Sequence, residues 1–286
     1  MGININNSIH GNVNRMVQMN DAEMALNELA APVAVSQEGT DGIFSLLASE
    51  LHREIISYCD LRTTKSLACV NRYFNACVKA YEEQIDLKRD CPKLTILDAK
   101  AQGITVDDEP KVSKLQVLKW YNELTPHVEN EEGLTLLTMT KGLTLKQLVA
   151  IAEAKGIAVN LVRDEILREH GNVAVEQTYI IVITDSVFKK SRSKTYAQQQ
   201  ALVGGHKCVM PIVQEQVAHW VFTNIVFRKC LYSQSNGQIL WTYGRSSTRV
   251  GNYSLVVGGS APARVDVFRD YGLDDEVIGV GGRRKL

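Results

Sequence analysis

His206, Cys208 and His219 lie close together in the second half of the chain, and Asp185-Ser186 follows its strongest β-branched run. A thiol becomes a useful nucleophile when an imidazole is within hydrogen-bond reach and a third group orients that imidazole. On a strand, His206 and Cys208 at i and i+2 would point the same way. The Gly204-Gly205 pair before them reads instead as a loop, and no signature of a known cysteine enzyme surrounds them. The expectation is therefore a chain with no catalytic residue. The alternative is a Cys/His hydrolase- or transferase-like domain, which requires a concave pocket near residues 185–230 with Cys208 against a histidine.

Other chemical motifs are weaker still. Gly279-x-Gly281-Gly282 looks like a fragment of a phosphate loop, but only four residues follow Gly282. A dinucleotide fingerprint needs a helix there. The six cysteines, at 59, 69, 77, 91, 208 and 230, form no C-x-x-C pair. They suit buried free thiols in a reducing compartment, and no metal site or cofactor is expected. Trp120, Trp220 and Trp241 are scattered, as buried anchors are, rather than arranged as a platform for bases. Lys+Arg and Asp+Glu both total 32. A balanced chain has little long-range attraction for phosphate backbones or anionic membranes, so neither partner is expected.

The elements that would position these residues fall into blocks. Residues 1–42 are rich in Asn, Ser and Gly and read as a flexible arm with one short helix at 21–30. Residues 43–85 read as helix almost throughout, and 86–110 as a connecting segment broken by Pro92 and Pro110. From 111 to 286 an α+β domain is expected. Ser113 and Thr144 stand where they cap helices, Gly156 and Gly171 stand where helices end, and the third helix of this group spans about 161–170. Val175–Thr184 reads as a buried strand, 195–203 as helix, and 212–228 as either helix or strand. Lys229–Ser233, Ile239–Tyr243, Tyr253–Val257 and Val265–Phe268 read as short strands. The acidic Glu129/Glu131/Glu132 and Asp274-Asp275-Glu276 segments read as solvated loops, and Arg283-Arg284-Lys285-Leu286 as a solvated tail.

Two apolar stripes stand out in the helical block. Leu47, Leu51, Ile55 and Tyr58 share one face of a helix and its lead-in, and Leu67, Val70, Phe74, Cys77 and Val78 share another. Asp60 or Thr63 between them can cap the second helix. So small a unit rarely holds a core alone, so part of its apolar surface is expected to meet a partner or a neighbouring domain.

The segment Leu47-Ala48-Ser49-Glu50-Leu51-His52-Arg53-Glu54-Ile55-Ile56-Ser57-Tyr58-Cys59-Asp60 resembles the F-box signature. The agreement runs without a gap through Leu67, Val70, Asn71, Arg72 and Phe74. Ala48, Cys59 and Thr64 depart from it; Ala48 replaces a proline and loses the rigid φ that proline imposes. The resemblance covers about 35 residues and implies a small all-helical module that docks on a Skp-type adaptor of a cullin-based ubiquitin ligase. Leu47, Ala48, Leu51, Ile55, Ile56, Leu67, Val70 and Phe74 would form the docking surface. The α+β domain would then present a protein target for ubiquitination. The arrangement is similar to that of F-box-like proteins of amoeba-hosted intracellular bacteria, which implies an effector in the host cytoplasm. Otherwise the expected location is the cytoplasm.

Overall fold

The computed structural model describes residues 72–97, 111–129, 132–162, 164–228, 231, 242–259, 263–270 and 276–285. The chain divides into two compact units, Met1–Lys79 and Ala80–Leu286. The first helix described, α1 (Arg72–Gln84), contains the boundary. The arm at 1–42, with its expected helix, lies outside the described residues, as does most of the helical block. Among the described residues no helix is long and apolar enough to cross a membrane.

The second unit is a mixed α+β fold with two mixed sheets, as expected in class. Part of the segment read as a connector is built into it: α2 (Leu87–Asp90) is followed by strand β1 (Leu94–Leu97). β1 runs parallel to β2 (Leu134–Met139), which pairs antiparallel with β4 (Tyr179–Thr184). A last strand, β9 (Arg283–Lys285), lies antiparallel on the other side of β4, giving the order β1-β2-β4-β9. The second sheet has the order β3-β7-β6-β5-β8. Its middle is an antiparallel run of β5 (Tyr243–Val250), β6 (Tyr253–Gly258) and β7 (Arg264–Asp270). Its edges are parallel additions, β3 (Ala158–Leu161) on β7 and β8 (Ile278–Gly279) on β5.

Helix α7 (Val213–Phe227) packs against strands of both sheets and against α4 (Leu145–Ala154). Every residue from Val213 to Asn224 is buried, so this helix forms the middle of the core rather than an amphipathic cover. The ambiguity of 212–228 arises here, because Val213, Val217 and Trp220 suit a helix while Val221–Phe227 suits a strand. Local bonds decide for the helix. The Glu215 carboxylate accepts from the Ile212 N–H at 2.9 Å, and Arg228, at φ +53°, closes the other end with its N–H on the Asn224 carbonyl.

The other helices follow their caps. Ser113 accepts from the Gln116 N–H at the start of α3 (Lys114–Leu124). Thr144 and Gln147 form a reciprocal capping box on α4, as Thr195 and Gln198 do on α6 (Tyr196–Gly205). Gly156 ends α4 at φ +74°. The helix expected at 161–170 is shorter, α5 (Asp164–His170), because Leu161 belongs to β3.

The expected solvated tail is a strand. Arg283 pairs with the buried carboxylate of Glu215 at 2.6 Å, and Arg284 is only 9% exposed. Glycine makes this possible: a Cβ on Gly281 would lie 2.4 Å from Thr184 Oγ1, and one on Gly282 would lie 2.7 Å from the Phe188 ring. Gly279-x-Gly281-Gly282 is thus a close-packed lead into β9 and not a phosphate loop.

Candidate functional site

Of the residues expected to dock an adaptor, Leu47, Ala48, Leu51, Ile55, Ile56, Leu67 and Val70 lie outside the described residues. Phe74 falls on the backbone of α1, and Val78 on the same helix is half-buried. The second apolar stripe therefore continues as helix through its last member.

Cys208 sits 6% exposed in the cluster between the first sheet and helices α3 and α6, beside Phe188, Val203 and Met210. Its thiol donates to the backbone carbonyl of His206 at 3.5 Å, a group with no power to take its proton. Burial pushes the thiol pKa up, outweighing the Arg284 guanidinium that pulls it down. That is the opposite of activation. The His206 ring is held elsewhere, with its centroid 4.4 Å from that of His127 and 4.6 Å from that of Phe188. Burial, helped by His127 and Arg284, lowers its pKa.

His219 is remote from that cluster in function. Its Nε2 lies 3.1 Å from Asp185 Oδ1, and the Thr135 hydroxyl donates to the same oxygen at 2.6 Å. A carboxylate oxygen accepts, so in this contact Nε2–H is the donor. The Asp185–His219 pair has the order of the orienting half of a catalytic triad. It lacks the other half: His219 Nδ1 meets no hydroxyl or thiol, and His219 and Asp185 are 0% and 3% exposed. The three side chains tie β2, the end of β4 and α7 together inside the core. Their work is to satisfy polar groups that burial would otherwise penalise.

Two further buried networks surround α7. Glu215 is fully buried and takes the Tyr179 hydroxyl at 2.8 Å besides Arg283. Burial raises its pKa, and Arg283 is the main influence holding it back. Burial first, then the Glu215 charge, pushes the Tyr179 phenol up. On the second sheet, Arg245 pairs with Asp270 at 2.5 Å and donates to Gln199 Oε1 at 2.8 Å and the Lys194 carbonyl at 3.0 Å. Arg192 reaches from the loop that carries Lys194 to Glu129 at 2.8 Å, so Glu129 itself is clamped rather than solvated. These partners are far apart in sequence, and no local spacing announces them.

Among the described residues no group of three or more His, Cys, Asp or Glu side chains converges as a metal site would require. No known protein family, curated protein or solved structure matches this chain. The polar chemistry of the second unit is thus turned inward, joining its two sheets through α7.

Proposed function

We propose that the chain is an F-box-like receptor. Residues 43–85 dock on a Skp-type adaptor, and the α+β unit offers a protein target to a cullin-based ubiquitin ligase. The observation that carries this reading is the ungapped agreement from Leu47 to Phe74 across two helical stripes and their loop. Helix α1, which continues the second stripe through Val78, is in keeping with it. Burying four or five of the stripe residues in an adaptor groove would supply roughly 6–12 kcal/mol of gross hydrophobic stabilisation before ordering costs. In an intracellular bacterium such a receptor would act on the ligase of its host. The alternative, a Cys/His enzyme, draws less support, because the Cys208 thiol is raised in pKa and His219 is sealed in the core.

The test is co-purification of the full chain with a eukaryotic Skp-type adaptor, beside the Leu47→Asp/Ile55→Asp variant. A stoichiometric complex lost in the folded variant is expected. Undiminished capture by that variant would refute the assigned surface.

A further inference from the structure

The most heavily constrained segment outside any expected site is the three-residue strand β9. Its side chains alternate, as a strand requires. Arg283 and Lys285 face Glu215 of α7 and the Tyr179 ring of β4, with Lys285 Nζ 4.3 Å from the ring centroid. Arg284 faces the opposite way. It pairs with Glu123 of α3 at 2.5 Å, lies 5.6 Å from the Trp120 ring centroid, and donates to the backbone carbonyl of His206 at 2.6 Å. The strand is also bonded on both edges, to β4 on one side and to Val209 on the other, where Arg283 and Val209 exchange N–H···O bonds of 2.9 and 3.0 Å.

His206 is the joint of this arrangement. Its carbonyl holds Arg284 and the Cys208 thiol, while its ring is wedged between His127 and Phe188. His127 is fixed in turn, since its carbonyl accepts from the Lys189 N–H at 2.8 Å. Lys189, Lys190 and Lys207 are further cations on the elements around it; the anions are Glu123, paired with Arg284, and Glu129, paired with Arg192. A proton on the His206 ring therefore arrives half-buried, against a second imidazole and near the Arg284 guanidinium. We propose that the His127–His206 stack is an acid-sensitive latch on the C-terminal strand: protonation of His206 loosens β9 and uncovers the apolar edge of β4.

The sign follows from His206. Its pKa is lowered in the fold from 6.5, so its contribution is fully favourable above that value and is lost as pH falls below it. Glu215 works the other way. Burial raises its pKa, so taking up a proton relieves a buried charge as pH falls. It lies on the opposite face of β9 from the imidazoles, and comparison of histidine variants with the parent cancels its effect.

The experiment is hydrogen–deuterium exchange on the full chain at pH 7.5 and 5.5, corrected for intrinsic rates, with β6 as internal reference. The opened form takes up the His206 proton more readily than the latched one, so the opening equilibrium rises as pH falls through the His206 titration. Amides of β4, β9 and Val209 should lose more protection than those of β6. The extra loss should vanish in His206→Gln and shrink in His127→Gln. Equal loss in β4 and β6, or an extra loss undiminished in His206→Gln, overturns the proposal. If His206→Gln fails to protect β6 at pH 7.5, the exposed His127→Gln variant decides on the same criterion.

Discussion

Replacing Arg283 with Met should destabilise the second unit far more than the loss of a surface cation would. Arg283 is the counter-ion of Glu215, a carboxylate with no exposed surface, at 2.6 Å. After the substitution Glu215 keeps the Tyr179 hydroxyl at 2.8 Å and the Ile212 N–H at 2.9 Å, but its charge is uncompensated. Removing one partner of a buried pair costs about 3–5 kcal/mol, against about 0–1 kcal/mol for an exposed pair. For a unit of this size that is a fall in Tm of roughly 6–20 °C. The loss should also depend on pH. Arg283 is the chief group holding the Glu215 pKa down. Without it the carboxyl takes up a proton more readily, so the deficit is greatest at pH 7.5 and shrinks as pH falls. Urea unfolding of the parent, Arg283→Met, Glu215→Gln and the double variant at pH 7.5 and 5.5 measures both effects. A loss below about 1 kcal/mol at pH 7.5 would refute the counter-ion role. So would a loss undiminished when Glu215 is already Gln.

Three other outcomes follow from the same interior. His219→Ala leaves Asp185 with the Thr135 hydroxyl as its side-chain partner. It should lower stability by about 3 kcal/mol or more in urea melts, whereas Asp185→Asn/His219→Gln, which keeps a neutral hydrogen bond, should lose less. Cys91, whose thiol is pushed up to about 11 by burial, and Cys208, also raised, should resist iodoacetamide at pH 7.5 in the folded chain. Peptide-resolved mass spectrometry should show both labelling only on unfolding. On mild acidification to pH 5.5, exchange protection should fall more at β4 and β9 than at β6.

Local signals made part of this fold legible before the structure. Ser113 and Thr144 sit at the N-caps of α3 and α4, because a hydroxyl that accepts a free N–H is a strictly local device. Of the β-branched run Val175–Thr184, only Tyr179–Thr184 is strand, as β4, while Tyr253–Val257 and Val265–Phe268 lie within β6 and β7. What was hidden depends on tertiary partners. β5 contains Arg245-Ser246-Ser247-Thr248-Arg249, in which Thr248 alone is a strand former; Arg245 is buried there because Asp270 and Gln199 meet it. β9 reads as a charged tail until Glu215 and Glu123 are seen to neutralise it. The proximity of His206 to Cys208 in sequence led to a carbonyl contact, whereas His219 found Asp185 across 34 positions. Spacing reports helix faces and strand faces, but not which distant groups a fold brings together.

Adaptor docking through the helical block is decided by hydrogen–deuterium exchange of the full chain with and without a saturating Skp-type adaptor. New protection is expected across residues 44–78, centred on Leu47–Ile56 and Leu67–Phe74, with β5 and β6 unchanged. No protection anywhere, or protection confined to Ala80–Leu286, would rule out a receptor that docks through this module.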